Sequence, residues 1–120
     1  DLHLSGTHLT DVSALSGLRH LRVLRLDQNK LNDVSALEGL TRLESLTLIS
    51  NNITDVSALA RLSKLKSIHI VDNKLTDLSP LIVLKRLPFL SVFGNTNLAK
   101  TEIEKLKKAL PKCRIHHNAK

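Results

Sequence analysis

Four aspartates, Asp11, Asp33, Asp55 and Asp77, stand 22 residues apart, and each lies two residues ahead of a serine, Ser13, Ser35, Ser57 or Ser79. Such an array invites two chemistries. Acid–base catalysis needs carboxyls whose surroundings push their pKa values apart, and four near-identical settings do the opposite. Calcium is the other possibility, and it would need oxygen ligands converging on one point. The pattern suits a carboxylate that caps backbone N–H groups at a recurring turn. The remaining reactive side chains are sparse. Cys113 is the only cysteine, so no intramolecular disulfide forms. A nucleophile there would also need an oriented base and oxyanion donors beyond the neighbouring His116 and His117, and the residue reads as a small buried hydrophobe. His3 and His69 share a phase of the interval but lie three intervals apart, too far to hold one metal. No phosphate-binding loop, dinucleotide glycine motif, paired-cysteine zinc site or H-E-x-x-H helix is present. The expectation is no catalysis, no metal and no cofactor.

The elements that carry these residues keep the same interval. Asn29, Asn51, Asn73 and Asn95 recur with it, as do Leu21, Leu43, Leu65 and Leu87. Leu24-Arg25-Leu26, Leu46-Thr47-Leu48 and Ile68-His69-Ile70 alternate apolar and polar, the mark of a half-buried strand. In-register copies stack as a parallel sheet with strands about 4.8 Å apart. A side-chain amide both donates and accepts, so the asparagines are expected to form an internal ladder satisfying backbone groups where each strand ends. Asp-Val-Ser-Ala-Leu at 11–15, 33–37 and 55–59, and Asp77-Leu78-Ser79-Pro80-Leu81, predict short 3-10 turns over 14–18, 36–40, 58–62 and 80–84, with serine as N-cap and Pro80 first in its turn. After Asn95 the rhythm breaks. Thr101 and Glu104 are placed for a capping box, and Ile103, Leu106 and Leu110 share one helical stripe that Pro111 ends. Cys113 and Ile115 are expected to tuck back in, and 116–120 to fray.

A period in this range, phrased L-x-x-L-x-L-x-x-N-x-L, is the signature of leucine-rich repeats. Asn29 to Leu37, Asn51 to Leu59 and Asn73 to Leu81 follow N-x-L/I-x-D-V/L-S-A/P-L, which resembles the 22-residue repeats of internalin-like bacterial surface proteins. The resemblance covers about residues 1–97, and Leu106 to Ile115 looks like the closing segment of such proteins. It implies an α/β solenoid: a curved, right-handed stack with a parallel β-sheet on the concave face, 3-10 turns on the convex face and a C-terminal capping helix. The expected division is 1–97 for about five repeats, the first truncated, and 98–120 for the capping helix and tail. Internalin-like proteins begin with a helical cap, and this chain starts inside a repeat. The expectation is a fragment, a processed product, or an end covered by another chain, with self-association through that open layer as one outcome.

The resemblance implies recognition of a protein or peptide on the concave sheet. Read down the stack, the solvent-facing positions form three columns: Asp1, Val23, Ser45, Ser67, Phe89; then His3, Arg25, Thr47, His69, Ser91; then Ser5, Asp27, Ile49, Val71, Phe93. The third turns from polar to apolar toward the C-terminal end. Ile49, Val71, Phe89 and Phe93 would form an apolar patch of the kind that marks contact sites, unless the cap covers the two phenylalanines. The candidate binding residues are Arg25, Asp27, Thr47, Ile49, His69, Val71, Phe89, Ser91 and Phe93.

Charge offers the main rival. Residues 1–84 balance nine Lys/Arg with nine Asp/Glu, whereas 85–120 hold nine against Glu102 and Glu104. The basic end formed by Lys100, Lys105, Lys107, Lys108, Lys112 and Arg114 has no interleaved aromatics to stack bases, so only weak, salt-sensitive anion or nucleic-acid binding is expected there, and no specific nucleic acid. A structural spacer is the other alternative. No apolar run approaches the roughly 18 residues of a membrane span. The resemblance favours a bacterial secreted or surface location over the cytoplasm.

Overall fold

The computed structural model describes residues 1–119; the expected fraying of Lys120 lies outside the described residues. Six short strands, β1 (Leu2–His3), β2 (Val23–Arg25), β3 (Ser45–Thr47), β4 (Ser67–His69), β5 (Phe89–Ser91) and β6 (Arg114–His116), form one sheet in sequence order. Every pair is parallel. The first four steps hold the 22-residue register, so that Val23, Ser45, Ser67 and Phe89 fall in one row across the sheet and Arg25, Thr47, His69 and Ser91 in another. Strands begin one residue earlier than the alternation suggests. Backbone bonds continue past them, from Leu26 N–H to Thr47 O (2.9 Å) and from Leu48 N–H to His69 O (2.7 Å). Leucines 24, 46 and 90 with Ile68 point into the stack and are fully buried, each layer closing on the next.

The asparagine ladder forms as expected. Asn51 Oδ1 accepts Leu31 N–H (3.1 Å), and its Nδ2 donates to Leu26 O (3.0 Å) and Leu48 O (3.1 Å). Asn29 and Asn95 repeat all three bonds, while Asn73 accepts Ile53 N–H and donates to Leu48 O and to Val71 O. The aspartates cap the turns: Asp11, Asp33, Asp55 and Asp77 each accept the N–H of the serine two residues on at 2.8 Å.

That bond shifts the 3-10 segments, which run Ser13–Leu15, Ser35–Gly39, Ser57–Arg61 and Ser79–Val83. Serine is therefore the first helical residue rather than the cap, and Pro80 the second. The N-cap positions are Val12, Val34, Val56 and Leu78, whose side chains cap nothing. The capping helix, α1 (Lys100–Ala109), buries Ile103 and Leu106 in the stripe expected of it. Its capping box does not form, because the helix starts at Lys100 with Ala99 as N-cap and Thr101 is already inside. Glu102 instead reaches the last 3-10 segment and accepts Leu78 N–H at 3.1 Å.

The frayed tail expected from His116 onward is corrected by the sheet. Arg114–His116 pair with β5 as a sixth strand, Val92 N–H donates to His116 O (2.9 Å), and Gly94 N–H donates to Asn118 Oδ1 (2.9 Å). β5 would otherwise leave its backbone groups open, and three residues beyond α1 suffice to pair them.

Candidate functional concave face

Parallel register sets the three columns side by side, and their exposures differ. In the second, Arg25 is exposed, Thr47 and His69 are half-buried, and Ser91 is only 2 % exposed. Ser91 therefore departs from the open position expected of it: β6 flanks it, and its Oγ lies 3.2 Å from His116 Nδ1. In the third, Asp27, Ile49 and Val71 are half-buried and Phe93 is 40 % exposed.

The polar members are held by the fold. Asp27 Oδ1 accepts Ile49 N–H at 2.8 Å, and Asp27 N–H donates to Ser5 Oγ at 3.1 Å. The two bonds fix the steps from the first to the second and from the second to the third layer of the column. Gln28, Ser50, Asp72 and Gly94, which follow the third column, all have positive φ (57°, 61°, 55° and 81°). The chain thus turns off the sheet at one left-handed residue per repeat.

The two aromatic side chains neither vanish under the cap nor stand free of it. Phe89 is half-buried with its ring centroid 5.2 Å from that of His69, tilted by 43°. Phe93 stacks on His116, 5.0 Å between centroids and 17° between planes. Ile49, Val71, Phe89 and Phe93 stay partly open to solvent, framed by Arg25, Thr47 and His69.

A profile of leucine-rich repeats, taken two copies at a time, matches residues 1–39, 19–61 and 41–83. The chain belongs to the leucine-rich-repeat family. A search of curated proteins finds no significant match. Among solved structures, this leucine-rich-repeat chain is similar to internalin C2 of Listeria monocytogenes, with 34 % identity and a TM-score of 0.85 over 97 % of this chain and 50 % of that one. It is also similar to a second Listeria monocytogenes internalin, inlF, with 27 % identity and a TM-score of 0.82 over 92 % and 34 % of the two chains. A leucine-rich-repeat protein of Leptospira interrogans gives 28 % identity and a TM-score of 0.80 over 88 % and 28 %. The chain thus resembles internalin-like bacterial members, and spans half of the first of these proteins and less of the others. Leucine-rich repeats are generally protein-interaction modules.

Three residues of this leucine-rich-repeat face escape the 22-residue period. Arg114 extends the first column beside Phe89, and His116 extends the second beside Ser91. Asn118 holds Gly94. The helix between β5 and β6 erases the phase. The surviving signal is the brief alternation Cys113-x-Ile115.

Cys113, half-buried, has its thiol pKa pushed up by burial, which lowers the thiolate fraction. Among the described residues no three His, Cys, Asp or Glu side chains gather as a metal site, and no helix is long and apolar enough to cross a membrane.

Proposed function

We propose that this chain is a non-enzymatic recognition module that takes a protein or peptide on the C-terminal half of its concave sheet. The carrying observation is Phe93: a large aromatic side chain left 40 % exposed on a sheet face, continuous with Val71 and Ile49. Aromatic anchors bordered by polar groups are the usual centres of binding energy at interfaces. Arg25, Asp27, Thr47 and His69 supply the polar border, and Phe89 extends the anchor. The residues 1–97 form the recognising stack in this reading, and 98–120 close it. Secretion or display at a bacterial surface is the companion proposal, supported by the similarity to the Listeria internalins.

A random peptide library selected on the immobilised chain tests the reading. Selected peptides should lose about tenfold or more in affinity for Phe93→Ser, the scale of one lost interface anchor. They should bind unchanged to Val83→Ser, altered on the convex side. Peptides indifferent to Phe93→Ser would overturn the concave reading, provided circular dichroism shows the variant folded.

A further inference from the structure

Counted along the sequence, the positive charge sits at the C-terminal end; the fold sorts it differently. Each of β2 to β5 is reached through a four-residue approach, 19–22, 41–44, 63–66 or 85–88, and 111–114 runs into β6. These twenty residues hold nine of the eighteen lysines and arginines and one acid, Glu44. That edge is +8, against +7 for the whole chain; the other hundred residues set nine basic side chains against ten acidic ones. All nine cations of the edge are exposed.

In-register stacking turns them into a strip, about 4.8 Å per step and roughly 20 Å long. Glu44 is already spent within it. Its carboxylate lies 3.0 Å from Lys66 Nζ and 3.7 Å from Arg22 Nε, and the Lys66 bond and charge hold its pKa below the usual value. The other seven cations have no carboxylate partner among the described residues. Lys64, Lys66 and Arg86 converge with Ser63, Leu65 and Glu44 on a groove of about 430 Å³. A row of like charges repels itself and costs stability, yet the rest of the surface is balanced.

The strip narrows its own partner. No Phe, Tyr or Trp lies in the twenty residues, and their one imidazole, His20, is engaged by Arg42 at 2.8 Å, so the strip lacks the row of aromatic platforms on which successive bases stack. The strip also runs straight into the concave face: Lys66 precedes Ser67, Pro88 precedes Phe89, and Arg114 is Phe89's neighbour in register. We infer that this edge is a second docking surface, for an Asp- and Glu-rich stretch of polypeptide flanking the segment that occupies the concave patch. The identity of that polypeptide as one partner rests on the concave reading above; the acidic docking itself does not.

The test uses the full chain and a fluorescent Glu-rich peptide without apolar residues, read by anisotropy at about 0.15 M salt, where the screening length is about 8 Å. Two variants each remove three positive charges: Arg42→Gln/Lys64→Gln/Arg86→Gln on the edge, and Lys100→Gln/Lys107→Gln/Lys108→Gln on the helix. Three lost ion pairs should weaken the edge variant about tenfold, whereas the helix variant should stay within about twofold, both with wild-type circular dichroism. Equal losses in the two variants would overturn the proposal by reducing it to net charge. So would a wild-type chain that ignores the peptide while binding a charge-matched oligothymidylate or anionic phospholipid vesicles. Phe93→Ser should bind the acidic peptide unchanged, so failure of the concave reading leaves this result standing.

Discussion

His116 lies flat against Phe93, 5.0 Å between ring centroids and 17° between planes, joining the last strand to the most exposed aromatic side chain of the concave face. The stack covers part of Phe93, which stays 40 % exposed. Aromatic pairs of this kind contribute about 0.5–1.5 kcal/mol beyond their buried area. His116→Ala should therefore lower unfolding free energy by about 1 kcal/mol in urea titrations. Phe93→Ser should cost less than the 2–5 kcal/mol typical of a fully buried leucine, such as Leu90→Ala. A Phe93→Ser loss equal to that of Leu90→Ala would mean that Phe93 serves the core.

Asn51 offers a different scale. Its side chain is the partner of Leu31 N–H, Leu26 O and Leu48 O, all within the stack. Alanine strands these groups away from water, at about 1–3 kcal/mol for each unsatisfied group. Asn51→Ala should cost about 3 kcal/mol or more, whereas Asn52→Ala, exposed and next in sequence, should stay within about 0.5 kcal/mol. Comparable urea midpoints for the two variants would show that water replaces the ladder.

Repetition decides what the sequence discloses. Asn29, Asn51, Asn73 and Asn95 announce their role because each copy meets the same backbone groups, and the aspartate caps are legible for the same reason. Position within a turn is less visible: whether Ser35 caps the turn or begins it depends on Asp33 reaching its N–H. The tail is least visible. β6 is recruited by the open edge of β5, a tertiary demand with no local periodicity to mark it. Of the candidate site, Ile49, Val71 and Phe93 come from the register alone. The burial of Ser91 and the strip of cations running through Arg42, Lys64 and Arg86 require the strands to be stacked.

Acid should weaken the fold in two stages. His117 has its pKa lowered from the ordinary 6.5, chiefly by burial and further by Lys107, His116 and Lys100; its Nδ1 accepts Ala119 N–H at 3.2 Å, a bond the protonated ring cannot accept. A depressed folded pKa means the unfolded chain binds the proton more readily. That stabilisation is present above about pH 6.5 and fades as pH falls below it. Asp33 and Asp77, with Ser35 N–H and the Ser79 hydroxyl as leading causes, and Glu44, with Lys66, are lowered from 3.8, 3.8 and 4.5. Their contribution is complete above the unfolded values and is lost as pH drops through the folded ones. Thermal midpoints of His117→Asn should flatten the upper stage only, and those of Asp33→Asn should reduce the lower one. An unchanged upper stage in His117→Asn would remove His117 as its source.

Gly94 couples the rim of the concave face to the tail. It adopts φ +81°, a Cβ there would overlap the Asp72 carboxylate, and its N–H holds Asn118. Two costs are therefore separable in Gly94→Ala. The left-handed backbone costs about 1–2 kcal/mol for any residue with a Cβ, and the overlap adds a contribution that depends on how freely the exposed Asp72 side chain swings away. In a double-mutant cycle, Asp72→Ala should recover the carboxylate overlap and leave the backbone cost, to which the 3.1 Å approach to Asp72 N belongs. The same cycle can be read on selected peptides: displacing Asn118 and the strand bearing His116 should loosen Phe93, so Gly94→Ala should weaken peptide capture where Asp72→Ala alone does not. Wild-type capture by a destabilised but folded Gly94→Ala would show that the tail's anchorage has no part in shaping the face.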